Sequence, residues 1–168
     1  LRASYDRDAH RYDEKHRHLQ WPKYEATVPR LRLRGAMALL DLGTGTGLLA
    51  EYLGRGLVGI DLSYRILLRA RGRGVRVLQG DIEFLPFRDR SFDVAFCYTS
   101  LFRFPQVDGT LREVNRILRP SGNFVVTILK IRFYEDFPRQ LWHCNLIPGP
   151  RIDCGQDWGY VCEKSEDF

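Results

Sequence analysis

Between residues 38 and 129 the chain alternates short apolar runs with helix-length amphipathic stretches. Five runs read as strands: Ala38 to Leu42, Leu57 to Ile60, Val75 to Gln79, Phe92 to Tyr98 and Asn123 to Leu129. They are rich in Val, Ile, Leu or Phe, which is the pattern of strands covered on both faces. Strands separated by helical stretches predict crossover connections. The expected fold class is α/β, a Rossmann-like, doubly wound and mostly parallel sheet with helices on both faces.

The helices have local signals. Leu48 to Leu53 is a short one, closed by Gly54-Arg55-Gly56. Ser63 precedes Tyr64-Arg65-Ile66-Leu67-Leu68, where its hydroxyl is placed to cap a helix that ends near Gly72 and Gly74. Leu111, Val114, Ile117 and Leu118 recur at helical spacing until Pro120-Ser121-Gly122 stops them. Residues 1 to 30 predict one or two amphipathic helices, with Tyr5, Ala9 and Tyr12 on one side and Trp21, Tyr24 and Val28 following, as a lid or arm. Beyond residue 130 the expectation is a helix over Tyr134 to Cys144, then a hairpin closing Arg151 to Cys154 on Gly159 to Glu163 around Gln156-Asp157. One domain of 168 residues therefore divides into an N-terminal arm (1–35), a core (36–130) and a C-terminal segment that completes the sheet (131–168).

A hydrophobic content of 44% is enough to build a core without metals or disulfides. No apolar run approaches the ~18 residues of a membrane span, and the opening LRASYDRDAH has no signal-type apolar segment. The expectation is a soluble, cytoplasmic protein, monomer or homodimer, without a membrane partner. The net charge of +5 is uneven: residues 1–34 hold nine Lys/Arg against five Asp/Glu, and residues 65–76 hold five Arg and no acid. Such short basic stretches are more often solvated surface than a nucleic-acid contact. The cluster at Arg71 and Arg73 is expected to be inert, carried by its helix to the sheet edge opposite the glycine loop. Cys97, Cys144, Cys154 and Cys162 contain no C-x-x-C pair, so neither a zinc ribbon nor a thioredoxin-like site is indicated. The last three crowd together, where a disulfide would fit a hyperthermophile protein. His10, His16 and His18 do not share one helix face, and no metal set is expected.

The strongest chemical signal is Asp41-Leu42-Gly43-Thr44-Gly45-Thr46-Gly47, between a buried strand and a helix. Alternate glycines let backbone pass close beneath a ligand and expose helix N-terminal N–H groups to it. A nicotinamide-type G-x-G-x-x-G would need Gly where Leu48 stands, and the Gly-Lys-Ser/Thr of a phosphate loop is absent, which argues against a nicotinamide-dependent oxidoreductase. Asp61 ends the second apolar run, where a carboxylate can accept from both hydroxyls of a ribose. Asp81 follows the third run, able to accept from an exocyclic amine, and Leu62 and Ile82 offer apolar faces to a flat base. Three stations on consecutive strand ends converge on one crevice.

These segments, with Leu85-Pro86-Phe87, Ser91-Phe92-Asp93-Val94 and Glu113-Val-Asn-Arg-Ile-Leu-Arg-Pro-Ser-Gly122, resemble class I S-adenosylmethionine-dependent methyltransferases, close to the branch of quinone-biosynthesis and small-molecule enzymes. The resemblance implies seven strands with the last antiparallel, S-adenosylmethionine as cofactor, and a cofactor set of Asp41, Gly43, Thr44, Gly45, Gly47, Asp61, Leu62, Asp81, Ile82 and Tyr98. Thr99 would flank the methionyl group and the acceptor beside Tyr98, and the arm would cross the carboxyl edge of the sheet. Ser121 stands where the family usually has Gly, and the tail leaves few residues for a sixth strand. Tyr98-Thr99-Ser100-Leu101 replaces the Asn/Asp-Pro-Pro-Tyr/Phe signature of amino-group methylation, and Cys97, without a preceding Pro, reads as a buried strand residue.

In-line methyl transfer needs no dedicated base, so no catalytic residue is singled out; His10, Asp13, Tyr98 and His143 are candidates by type. The acceptor expected is a small molecule, with an RNA acceptor, a pseudo-enzyme that works by binding, or a partner subunit of a larger methyltransferase as alternatives.

Overall fold

The computed structural model describes residues 2–101 and 105–166, with side chains from residue 13 onward. The side chains of Tyr5, Ala9, His10 and Tyr12 lie outside the described residues. Helix α1 spans Arg2–Thr27 and continues into a 3-10 turn, Val28–Arg30. Then follow β1 (Leu39–Leu42), α2 (Leu48–Leu53), β2 (Val58–Asp61), α3 (Tyr64–Gly72), β3 (Arg76–Gln79), β4 (Phe92–Tyr98), α4 (Asp108–Ile117) and β5 (Leu118–Leu129). The C-terminal part adds α5 (Phe137–His143), β6 (Leu146–Pro148), β7 (Ile152–Cys154) and β8 (Asp157–Lys164).

The strands form one sheet in the order β3-β2-β1-β4-β5-β8-β6, with the short β7 paired to β8 as a hairpin. β1 to β5 are parallel, and β8 runs antiparallel to β5 and β6. The chain winds outward from β1 to β3, then returns to β4 on the other side of β1. That reversal opens a crevice at the carboxyl ends of β1 and β4, where sheets of this type take ligands.

Strand periodicity explains the two layers. Leu40, Leu42, Ala95, Cys97, Phe124 and Val126 point to one face and pack with Leu111, Val114 and Ile117 of α4 and Phe137 and Leu141 of α5. The alternate residues Leu39, Val94, Phe96 and Val125 point to the other face, against Tyr24 of α1, Leu49 of α2 and Ala70 of α3. Both faces are covered, as the unbroken apolar runs require.

Several expectations change. The arm is one continuous helix with Pro22 inside it, not two. Ser63 occupies the N-cap of α3, but its hydroxyl makes no capping bond; Asp61 Oδ1 instead accepts the Ser63 N–H at 2.9 Å. Leu118 begins β5 rather than ending α4. The register jumps there, from Phe92 opposite Leu118 to Val94 opposite Asn123, so the intervening residues bulge. Ser121 takes φ +57° in that bulge, the left-handed region that explains the family's glycine. The sixth strand exists in three residues, and the sheet has eight strands rather than seven because the short β7 is added as a hairpin on β8. All four cysteines are buried and unpaired, so the tail holds no disulfide. Among the described residues no helix is long and apolar enough to cross a membrane.

Candidate active site

A cavity of about 520 Å³ lies along the carboxyl edge, within the range of cofactor and small-molecule sites. The expected set gathers there with one exception: Asp41, Gly43, Thr44, Gly45, Asp61, Leu62, Asp81, Ile82 and Tyr98 all line it, whereas Gly47 does not. Gly47 instead caps α2 at φ +83°, and a Cβ there would stand 3.0 Å from the Ala70 Cα of α3. It sets the approach of helix to helix, which keeps the loop above it in place.

The loop itself turns on Gly43 and Gly45, at φ +72° and +56°. The N–H groups of Gly43 and Thr44 both donate to the Ile60 carbonyl, at 2.8 and 3.1 Å, which ties the end of β1 to β2. A Cβ on Gly43 would collide with Ser100, while the same position on Gly45 faces open space. That vacant side of the loop is a cradle for a ligand.

Asp61 closes the loop from the neighbouring strand, with Oδ2 accepting the Gly45 N–H at 3.1 Å. Asp41 lies deeper and is almost wholly buried. Burial pushes its carboxyl up to about 7, the charge of Asp61 adds to this, and the Thr44 side chain opposes it. Asp81 accepts the Glu83 N–H at 3.0 Å, which orients the turn after β3.

Tyr98 ends β4 with its hydroxyl 2.8 Å from Thr27 Oγ1 and its ring edge-on to Tyr24, 4.8 Å between centroids. Burial drives its pKa far above the ordinary phenol value, so it stays protonated. Thr99 follows at φ +56°. Its hydroxyl donates to Asp157 Oδ2 at 2.6 Å and accepts from Lys23 Nζ, which also sits 3.2 Å from Asp157 Oδ1. Three elements, α1, β4 and β8, thus meet in a buried ionic cluster.

The other base candidates are elsewhere. His143 is on the exposed face of α5, its Nδ1 2.8 Å from the Arg139 carbonyl, and does not line the cavity. Asp13 is also outside the lining, 2.8 Å from Arg73. Burial raises its pKa, but hydrogen bonds from Arg73 and Thr46 and the Arg73 charge outweigh this and hold it below the usual carboxylate value.

Sequence reasoning expected the arm over this edge but missed most of the residues it contributes. His16, Leu19, Gln20 and Lys23 line the cavity, as does Gln156 beside β8. Their i, i+3, i+4, i+7 spacing was a readable signal, and Tyr24, which the sequence did single out, lines the cavity with them at i+8. Among the described residues, no three His, Cys, Asp or Glu side chains converge as a metal set.

Comparison with known proteins agrees with this geometry. The family model for the methyltransferase domain matches residues 40–126, from β1 into β5. A fatty-acid O-methyltransferase of Mycolicibacterium smegmatis is 33% identical over 136 residues, covering 76% of this chain and 48% of that protein. A ubiquinone/menaquinone biosynthesis C-methyltransferase of Syntrophotalea carbinolica is 34% identical over 143 residues, covering 74% of this chain and 59% of that protein. The chain spans about half the length of the curated relatives it matches. A solved SAM-dependent methyltransferase of Thermotoga maritima superposes with a TM-score of 0.77 at 22% identity, covering 96% of this chain and 97% of that one, and so shares the fold. The family's cofactor is S-adenosylmethionine, and the glycine cradle, the carboxylates at the ends of β1, β2 and β3, and the apolar Leu62 and Ile82 fit it. Loop, strand-end carboxylates, sheet order and matched residues agree, and the chain belongs to the methyltransferase-domain family.

Proposed function

We propose that the chain transfers a methyl group from S-adenosylmethionine to a small-molecule acceptor. The observation that carries this reading is one cavity lined from the ends of β1, β2 and β3 past Tyr98 and Thr99 to Leu129 and Gln156. Cofactor and acceptor can therefore share one enclosure. The relatives' names, a fatty acid in one and a quinone pathway in the other, support a small acceptor.

When bound, the cofactor supplies a methyl carbon made electrophilic by its sulfonium. The chain's own residues hold and enclose. Asp61 accepts from the ribose hydroxyls, Asp81 from the adenine amine between Leu62 and Ile82, and the Gly43 to Gly45 backbone with Asp41 receives the amino-acid end. Tyr98 walls the reacting end, and the arm through Leu19, Gln20 and Lys23 shuts water away. Positioning and dehydration are what an in-line displacement requires most.

The test is thermal unfolding with S-adenosylmethionine, its demethylated product and a nicotinamide dinucleotide, followed by mass spectrometry of an acceptor panel. Either sulfur ligand should stabilise the protein by about 2.7 kcal/mol at ~100 times its dissociation constant. A shift with the dinucleotide alone would overturn the reading.

A further inference from the structure

The cavity is electrostatically divided. On the β1–β2–β3 side it is lined by carboxylates, Asp41, Asp61, Asp81 and Glu83. On the β4–β5–β8 side, among the described residues, the lining Lys, Arg, Asp or Glu is Lys23 alone. Asp157 stands behind it, fully buried and not part of the lining. The walls there set apolar Leu101, Val107 and Leu129 among the polar Thr99, Ser100, Thr110 and Gln156.

We propose that the ammonium of Lys23 binds the acceptor, and that the acceptor is an apolar organic acid whose carboxylate receives the methyl group; this rests on the methyl-transfer reading above. An ammonium has three donors. One serves Thr99 Oγ1, another faces Asp157 Oδ1 at 3.2 Å, and no further acceptor is recorded for it among the described residues. The lysine is thus gripped from behind and presents its remaining donor to the cavity. Asp157 neutralises the ammonium, so selection rests on the N–H left over, which bonds an oxyanion more strongly than a neutral oxygen. Leu101, Val107 and Leu129 face the apolar body of the acid.

The chemistry makes no use of a base, although His16 and Asp41 both line the cavity. Asp13 and His143 are off the cavity, and Tyr98 is held protonated. A carboxylate is already deprotonated at neutral pH. Its oxygen attacks the methyl carbon, the new C–O bond forms as the C–S bond breaks, and the C–S electron pair leaves with sulfur as a neutral thioether. The negative charge of the acid and the positive charge of the sulfonium cancel, and no proton moves. A dry cavity favours a step in which opposite charges disappear.

Binding tests this without turnover. Octanoate, cinnamate and their primary amides are titrated calorimetrically into protein saturated with S-adenosylhomocysteine. The acids should bind about tenfold or more tightly than the amides. Lys23→Met should abolish that preference while leaving S-adenosylhomocysteine affinity within about twofold. Because Lys23→Met strands the Asp157 carboxylate, Lys23→Met/Asp157→Asn is measured beside it, and the wild-type acid–amide comparison decides if both variants misfold. With S-adenosylmethionine present, the acids should give methyl esters by mass spectrometry, with Lys23→Met raising KM more than it lowers kcat. Amides binding as well as acids, a preference that survives in Lys23→Met, or methylation of amine or phenol probes but no acid would each overturn the proposal. Failure to bind S-adenosylhomocysteine at all would strike the methyl-transfer reading instead.

Discussion

Arg73 Nη2 meets Asp13 Oδ2 at 2.8 Å and so fastens the end of α3 to the arm helix. The same guanidinium donates through Nη1 to the Thr46 carbonyl at 2.7 Å and through Nε to Glu51 Oε2 at 2.9 Å. The sequence expectation placed Arg71 and Arg73 at the far edge of the sheet, without consequence. For Arg73 that is incorrect: its long side chain returns from the helix end to the glycine loop. Arg73→Ala should therefore weaken cofactor binding by about 1 kcal/mol, the scale of partly exposed ionic contacts, and speed hydrogen exchange in α1. Arg71 is exposed, so Arg71→Ala serves as the control. Equal affinities in the two variants would show that the fastening does not reach the site.

The same contact has a pH signature. Asp13 is held below its ordinary pKa, so in the folded state it stays ionised at pH values where the unfolded chain has taken up a proton. Its stabilising contribution is complete above the unfolded value near 3.9 and is lost as pH falls through the lowered folded value. Removing the carboxylate with Asp13→Asn should shrink the gap between wild type and variant below about pH 4. Urea unfolding across that range reads it, and a gap that stays constant with pH would refute the assignment.

Asp41 works in the opposite sense. Its carboxyl is raised to about 7, mainly by burial. Between the unfolded value near 3.9 and that folded value the native state holds a proton the unfolded chain has released, so stability falls as pH rises through the window and levels off above it. Asp41→Asn carries no such penalty. It should match wild type near pH 4 and exceed it by roughly 1 to 3 kcal/mol near pH 8. Denaturant titrations at both pH values decide, and an Asn variant without an advantage at the higher pH would mean that the buried carboxylate is compensated.

The two pH effects belong to residues of different legibility. Asp41 could be read from its neighbours, because a glycine loop after an apolar strand has few other uses. The strands and α2 were similarly plain, since doubly covered strands leave runs that local pattern detects. Asp13, Arg73 and Lys23 gave no such signal. Their roles depend on how α1 lies across the sheet, a tertiary fact with no period in the chain. Ser63 shows the converse: its position signalled a cap, yet the nearby Asp61 carboxylate took the backbone N–H that shapes the turn.

Asp61 carries a double load that a single substitution separates. An ionised carboxylate accepts at about four sites, and the Gly45 and Ser63 N–H groups occupy two of them. Two remain for vicinal hydroxyls. Asp61→Ala should lower S-adenosylmethionine affinity by ~1.5 to 3 kcal/mol through lost charge-assisted bonds. Calorimetry within a factor of two of wild type would reduce Asp61 to a turn former.

Removing the arm should have a larger effect than a lid requires. Deleting residues 1–25 takes away Lys23 and leaves Asp157, with no exposed surface, as an uncompensated charge in the core. Breaking such a pair costs about 3 to 5 kcal/mol. The deletion also removes Tyr24, which packs on Tyr98 and Tyr52 at 4.8 and 5.3 Å between centroids, and the lost burial adds ~2 to 3 kcal/mol. Together these approach the whole stability of an ordinary domain, about 5 to 15 kcal/mol. The truncated protein should therefore unfold or aggregate rather than persist as an open, cofactor-binding core. Deleting residues 1–12 instead retains Asp13, Lys23 and Tyr24, and this shorter variant should fold and bind cofactor. Circular dichroism melts of the two truncations separate the cases. If the longer deletion melts within a few degrees of the intact chain, the Lys23–Asp157 pair and the aromatic packing of α1 contribute little, and the arm is a lid after all.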